Sequence, residues 1–199
     1  MKALPSVPLK ALVSQVSTWN PLKSEHDGDS FDYIDLSALD QELKAITGAR
    51  TIPCAEAPSR ARQLVRADDV LVSTVRPNLN GVAMVPQKLD GATASTGFCV
   101  IRANREVLDP SYVFHWVRSP RFVSNMVSLA TGASYPAVSD RIVFDSEIPL
   151  PTLEEQCRVA AILDKADALH AKRREAMAQL DGSMPFCVER PCLISLMPG

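Results

Sequence analysis

The chain lacks most of what marks a cofactor-loaded enzyme or a small stapled domain. It has three histidines and five cysteines, Cys54, Cys99, Cys157, Cys187 and Cys192, an odd set with no Cys-x-x-Cys pair. That usage argues against a zinc site and a disulfide framework, and for reduced thiols in a cytoplasmic protein. Long hydrophobic runs are missing. Val159-Ala160-Ala161-Ile162-Leu163 is far short of the roughly 18 apolar residues that a bilayer span needs, and Met1-Lys2 is followed by Pro5 and Pro8 rather than by an apolar leader. Excess charge of one sign is missing too: 21 Lys and Arg against 23 Asp and Glu give a net −2 over 199 residues. Neither a uniformly basic nucleic-acid coat nor an acidic disordered tail is available, so any nucleic-acid surface is local.

Catalytic signatures are also absent. There is no Gly-x-x-x-x-Gly-Lys-Ser/Thr phosphate loop, no Gly-x-Ser-x-Gly elbow and no His-Glu-x-x-His. A base-amino methyltransferase needs a glycine-rich cofactor loop and an Asn-Pro-Pro site, and the nearest sequence is Asn78-Leu79-Asn80-Gly81. A thiol centre built from Cys99, His115 and Asn125 is the one enzymatic alternative. Cys99 lies in the apolar run Phe98-Cys99-Val100-Ile101, however, where a thiol serves as a small buried hydrophobe.

What is present divides the chain. Fifteen prolines against eight glycines punctuate a middle of many short elements. Strand character marks Asp69–Val75, Val82–Val85, Gly97–Ile101 and Ile142–Phe144. Asp109-Pro110 opens a helical pattern over Ser111–Leu129 that breaks near Ser119-Pro120. From Thr152 to Gly182 no Gly or Pro intervenes, and Thr152 with Glu155 forms a capping-box pair, which predicts one long helix. Within it Val159, Ile162, Ala166, Leu169, Arg173, Ala176 and Leu180 make a heptad seam that wants a second helix. The expectation is therefore an α/β (α+β) domain over 1–150 with a mixed or antiparallel sheet, a coiled-coil-type helix over 151–182, and an irregular or disordered tail over 183–199.

Charge is segregated along the chain. Glu25–Glu42 carries seven acids and no Lys or Arg, whereas Arg50–Arg121 carries ten Lys and Arg, nine of them arginine, against six acids. Arginine suits bidentate contact with phosphate or the guanine edge. Arg60 and Arg62, in Ser59–Arg66, are candidates for such contact. So is Arg76, in Arg76-Pro77-Asn78-Leu79-Asn80-Gly81, whose Asn78 and Asn80 have amides able to read an adenine edge. The plain alternative is a tight connection between strands, with asparagine chosen for turn geometry.

Several segments in order resemble the target recognition domain of type I restriction-modification specificity subunits. They are Phe31–Ser37, Ala57–Val65, Asp69–Asn78, Ser95–Phe98, Thr131–Val138 and Ile148–Pro151, followed by Glu154-Glu155-Gln156 and Ile162-Leu163-Asp164. The resemblance covers roughly residues 15 to 181. It implies a non-catalytic, cytoplasmic subunit that binds double-stranded DNA and selects the sequence to be methylated or cut. Methyltransferase and restriction subunits would supply the chemistry with S-adenosylmethionine, ATP and Mg, so this chain needs no cofactor or metal of its own. Tyr135, in Gly132–Pro136, would stack or bond at the DNA surface. Family members carry two such domains and two antiparallel helices, so one domain and one helix look like a half subunit that homodimerises through Val159, Ile162, Ala166, Leu169, Ala176 and Leu180. The other reading is a truncated, decoy or purely dimerising module that does not bind DNA productively.

Overall fold

A computed structural model describes residues 4–24 and 29–182. The expectation of an irregular tail over 183–199 lies outside the described residues. In chain order the elements are β1 (Ser6–Pro8), β2 (Val13–Ser14), β3 (Ser30–Ile34), β4 (Leu39–Asp40), β5 (Ala45–Ile46), β6 (Arg50–Pro53), β7 (Ala61–Leu64) and β8 (Val70–Ser73). They continue with β9 (Val82–Met84), β10 (Thr93–Ser95), β11 (Phe98–Ala103), α1 (Pro110–Val117), α2 (Pro120–Leu129), α3 (Asp140–Phe144), β12 (Glu147–Pro149) and α4 (Leu153–Gly182).

Two four-stranded sheets organise the domain. One has the order β2-β11-β8-β9 and is antiparallel throughout; the other has the order β6-β3-β10-β7 and is mixed, with β10 parallel to β3. The first is the middle layer, and the period-2 alternation of its side chains shows this. Val70, Val72, Val82, Cys99 and Ile101 join the core beneath the helices with Val113, Val117, Phe122 and Met126. Their neighbours Leu71, Ala83, Phe98 and Val100 turn the other way, into a second core with Ile34, Val65 and Ala94. Strands buried on both faces read as near-continuous apolar runs, which is why these were legible in the sequence. A third, smaller cluster of Phe31, Tyr33, Cys54, Ala57 and Ala61 lies around β3.

The helix starts follow their caps. Asp109 accepts the Tyr112 N–H at 2.8 Å ahead of α1, and Ser119 accepts the Phe122 N–H at 3.3 Å ahead of α2, with Pro110 and Pro120 in the first turns. Ile142–Phe144 is a correction: it forms the end of helix α3, not a strand. Three apolar residues show no period, whereas Ser139-Asp140 just ahead is a helix start, and the strand follows at Glu147–Pro149. Many strands before residue 66 are two to five residues long, too short for a pattern to declare them.

The sequence predicts α4 well. Thr152 caps the Glu155 N–H at 3.4 Å, although the Glu155 carboxylate pairs with Arg158 rather than closing the box. Gln156 is wholly buried in the first turns. Its amide donates to the carbonyls of Val107 and Pro151, each at 3.0 Å, and its oxygen accepts the Asp109 N–H at 2.9 Å. Backbone contacts divide the chain into Met1–Leu163 and Asp164–Gly199. Of the heptad seam, Val159 and Ala166 are half-buried while Ile162, Leu169, Arg173 and Ala176 are exposed; the Leu180 side chain lies outside the described residues.

Candidate nucleic-acid interface

After β8 the chain leaves the sheet through Thr74, whose N–H and hydroxyl both bond the Gly97 carbonyl, at 3.0 and 2.9 Å. Arg76 then adopts a left-handed backbone (φ 51°, ψ 62°), Pro77–Leu79 make one 3-10 turn, and Asn80 is left-handed again (φ 49°, ψ 49°). A left-handed residue with a Cβ costs roughly 1–2 kcal/mol, so this turn persists because several contacts fix it. The Arg76 N–H bonds the Pro136 carbonyl at 2.7 Å, and Ser73 donates its hydroxyl to Val75 at 2.8 Å. Lys44 donates its ammonium to the Asn80 carbonyl at 2.6 Å. Burial, and then the nearby Arg118, lower the pKa of Lys44 from its ordinary value.

The facing loop is closed by reciprocal backbone bonds between Thr131 and Ala137, both at 2.9 Å. Gly132 has φ +99°, and a Cβ there would sit 2.8 Å from the Tyr135 carbonyl oxygen, so this position requires glycine. The loop displays Tyr135, which is 67% exposed. The Arg76 guanidinium carbon lies 4.6 Å from the centre of that ring, a cation–π contact across 59 positions of sequence.

The structure thus brings together Arg76, exposed Asn78 and Tyr135. Arg60 is exposed just ahead of β7: its carbonyl takes the Thr96 N–H at 2.9 Å, and the next residue, Gly97, holds Thr74. Arg60 and Thr74, two residues ahead of Arg76, therefore both bond the turn between β10 and β11. Two expected contacts are placed differently. Arg62 is half-buried and donates to the Ala61 carbonyl at 2.8 Å. Asn80 is half-buried, donates to the Arg118 carbonyl at 3.3 Å and has its side-chain oxygen buried, so its amide is turned inward rather than offered to a base. Lys44 was not legible as part of this turn, because a single lysine outside the arginine-rich block carries no local signal.

Much of the remaining charge is used internally. Arg102 makes a two-point pair with Asp69 at 3.0 and 2.6 Å and also donates to the Leu64 carbonyl. Arg105 pairs with Asp68, Arg50 with Asp35, and Arg118 lies 4.7 Å over the Phe114 ring. The acidic stretch builds turns: Asp35 accepts from the N–H and hydroxyl of Ser37, and Asp40 from the N–H groups of Glu42 and Leu43. Burial opposes ionisation of Asp35, but the Ser37 bonds and Arg50 outweigh it and hold the pKa below the ordinary value.

Cys99 is wholly buried on β11, and burial, with Asp140 adding to it, pushes its thiol well above the ordinary pKa. A thiol held protonated is a poor nucleophile. His115 is on α1 against Phe114, and Asn125 is exposed on α2. The thiol-centre alternative finds no support in this arrangement. Among the described residues no cluster of three or more His, Cys, Asp or Glu is placed to hold a metal, and no helix is long and apolar enough to cross a membrane.

No family profile matches the chain. A putative type I restriction enzyme MjaX specificity subunit of Methanocaldococcus jannaschii is 29% identical over 120 residues, covering 60% of this chain and 27% of the relative. The HindI specificity subunit of Haemophilus influenzae is 24% identical over 112 residues, covering 55% and 24%. The crystal structure of an HsdS subunit from Thermoanaerobacter tengcongensis superposes with TM-score 0.78 at 40% identity, covering 90% of this chain and 46% of that one. A chain from a structural study of complex assembly and conformational transition in the type I R-M system gives the same score and identity, covering 91% and 48%. The chain spans about a quarter of the curated relatives and about half of the solved ones. Its mixed and antiparallel sheets followed by one long helix match the fold of that HsdS subunit over about half of its length. On these matches the chain is similar, over part of their length, to the specificity subunits of type I restriction-modification systems.

Proposed function

We propose that this chain is a non-catalytic DNA sequence-recognition subunit that reads one half of a split target. Methyltransferase subunits dock on it, and the restriction subunit reaches DNA through them. The observation that carries this reading is the 40% identity over nine-tenths of the chain to a solved HsdS subunit. Of Arg60, Arg62, Arg76, Asn78, Asn80 and Tyr135, the exposed Arg60, Arg76, Asn78 and Tyr135 are the proposed DNA-facing set, with Arg62 and Asn80 bonded to backbone carbonyls instead. Contacts to phosphate set the register on the duplex, and contacts to base edges choose the sequence. S-adenosylmethionine, ATP and Mg belong to the partner subunits, and the chain works in the cytoplasm without a cofactor of its own.

The exposed Ile162, Leu169 and Met177 of α4 offer apolar surface to a second long helix. We read this as antiparallel pairing with another copy of the chain. Two identical heads related by a twofold axis then read a palindromic split site.

A second reading, a dimerising or decoy module without productive DNA binding, draws on the net −2 and on the internal pairing of Arg50, Arg102 and Arg105. Light-scattering mass, alone and with the methyltransferase subunit, followed by binding to duplex DNA across a salt series, separates the two. A recognition subunit forms a dimer, gains mass with the partner, and loses DNA affinity steeply and log-linearly with salt. A chain that dimerises but gives no DNA signal at any salt, with or without the partner, is the interaction module.

A further inference from the structure

We propose that Arg76 and Tyr135 act as one guanine-reading unit and that Lys44 is its positioning residue, which rests on the DNA-recognition reading above and specifies its chemistry. Among the described residues the non-glycine positions with a left-handed backbone are Lys44, Asp68, Arg76 and Asn80. Three of these four converge on one turn, because Arg76 begins it, Asn80 ends it, and the Lys44 ammonium bonds the Asn80 carbonyl at 2.6 Å. A connection that merely joined β8 to β9 would relieve this strain with glycine. Strain of this kind is retained where the surroundings over-determine a conformation that is used.

The conformation presents a guanidinium 4.6 Å from the centre of an exposed tyrosine ring, with its backbone N–H fixed to Pro136, one residue along from that ring. A guanidinium held over a ring loses rotational freedom and keeps its N–H edge for a planar, two-point acceptor. The O6/N7 edge of guanine is such an acceptor in the major groove. Phosphate also accepts two-point contact from arginine, but it is bound as well by lysine as a point charge, so we assign the fixed guanidinium to the base edge, and Arg76→Lys separates the two acceptors. Lys44 holds the far end of the turn by a bond to backbone, and in this proposal it does not touch DNA.

The test selects bound sequences from a randomised duplex DNA library, using the full chain together with its methyltransferase subunit. The wild type selects a motif that includes a guanine. Arg76→Lys, which keeps the charge, relaxes preference at that one position by about 10- to 100-fold, with the other positions and the salt slope retained. Tyr135→Ala relaxes the same position whereas Tyr135→Phe does not, and Lys44→Met relaxes it partly without weakening the remaining motif. A full motif with Arg76→Lys overturns the proposal and makes Arg76 a phosphate contact, as does an Arg76→Ala variant that weakens all sequences equally with a shallower salt slope. An unchanged motif with Tyr135→Ala overturns the pairing. A wild type that binds but selects no motif overturns the recognition reading itself, a separate outcome.

Discussion

Arg76 and Arg102 count equally in the basic block, yet the fold gives them opposite surroundings. Arg102 is 12% exposed, paired at two points with an Asp69 that is 3% exposed, and bonded to the Leu64 carbonyl. Its charge is neutralised inside the domain, where it joins the end of β11 to the chain ahead of β8. Arg76 is exposed, sits on a strained backbone, and meets an aromatic ring instead of a carboxylate. The difference teaches that a local excess of arginine does not locate a binding surface. The surface proposed above rests instead on an arginine that the fold leaves beside a ring rather than a carboxylate.

The largest effect expected from this contrast is on stability. Arg102→Ala leaves Asp69 buried without its cation, which costs about 3–5 kcal/mol in urea unfolding, whereas Arg76→Ala stays within about 0.5 kcal/mol of wild type. Equal losses for the two variants would erase the distinction. Gln156→Leu comes next. It removes the partner of the Asp109 N–H and of the Val107 and Pro151 carbonyls, and unsatisfied buried groups of this kind cost on the order of 1–3 kcal/mol. Protection of the Asp109 amide from hydrogen exchange falls in the same variant, because that N–H is tied to the Gln156 oxygen.

Which arginine is paired inside the domain and which is displayed was only partly legible. The strands of the middle sheet announced themselves because Val70-Leu71-Val72 and Phe98-Cys99-Val100-Ile101 are apolar on both faces. The long helix and the break at Ser119-Pro120 followed from caps and from the absence of Gly and Pro. Arg76 and Asn78 stand exposed in the turn that follows a strong strand, where the sequence places them, but the meeting of Arg76 with Tyr135 depends on how two distant loops fold against each other. Arg62 and Asn80 looked as displayed as Arg60 and Asn78, since a one-residue change of direction in a strand or turn decides which way a side chain faces. Lys44 carried no signal, because its task is a bond to backbone far along the chain.

Arg76→Gly sharpens the contrast from the other side. Glycine adopts φ 51° without the Cβ penalty, while its unfolded chain is more flexible, so the variant falls between no change and about 1 kcal/mol of added stability. Binding discrimination is lost in the same protein. A variant that is at least as stable and no longer selective shows strain maintained for recognition; one destabilised by more than 1 kcal/mol shows that the side chain is structural.

The smallest effect concerns Asp35 and Arg50, which lie 3.7 Å apart with the arginine side chain 66% exposed. Because the folded-state pKa of Asp35 is lowered, its contribution is present above the unfolded aspartate value and is lost as pH falls through the folded one. Exposed pairs contribute little, so Asp35→Asn should reduce stability at pH 7 by no more than about 1 kcal/mol, with the gap to wild type closing as pH falls below the ordinary aspartate value and through the lowered folded one. Arg50→Ala should do less, since the two Ser37 bonds remain. If Arg50→Ala instead matched Arg102→Ala, the pairing of an arginine with a carboxylate would matter regardless of burial, and the basis for separating Arg102 from Arg76 would shift from burial to charge pairing alone.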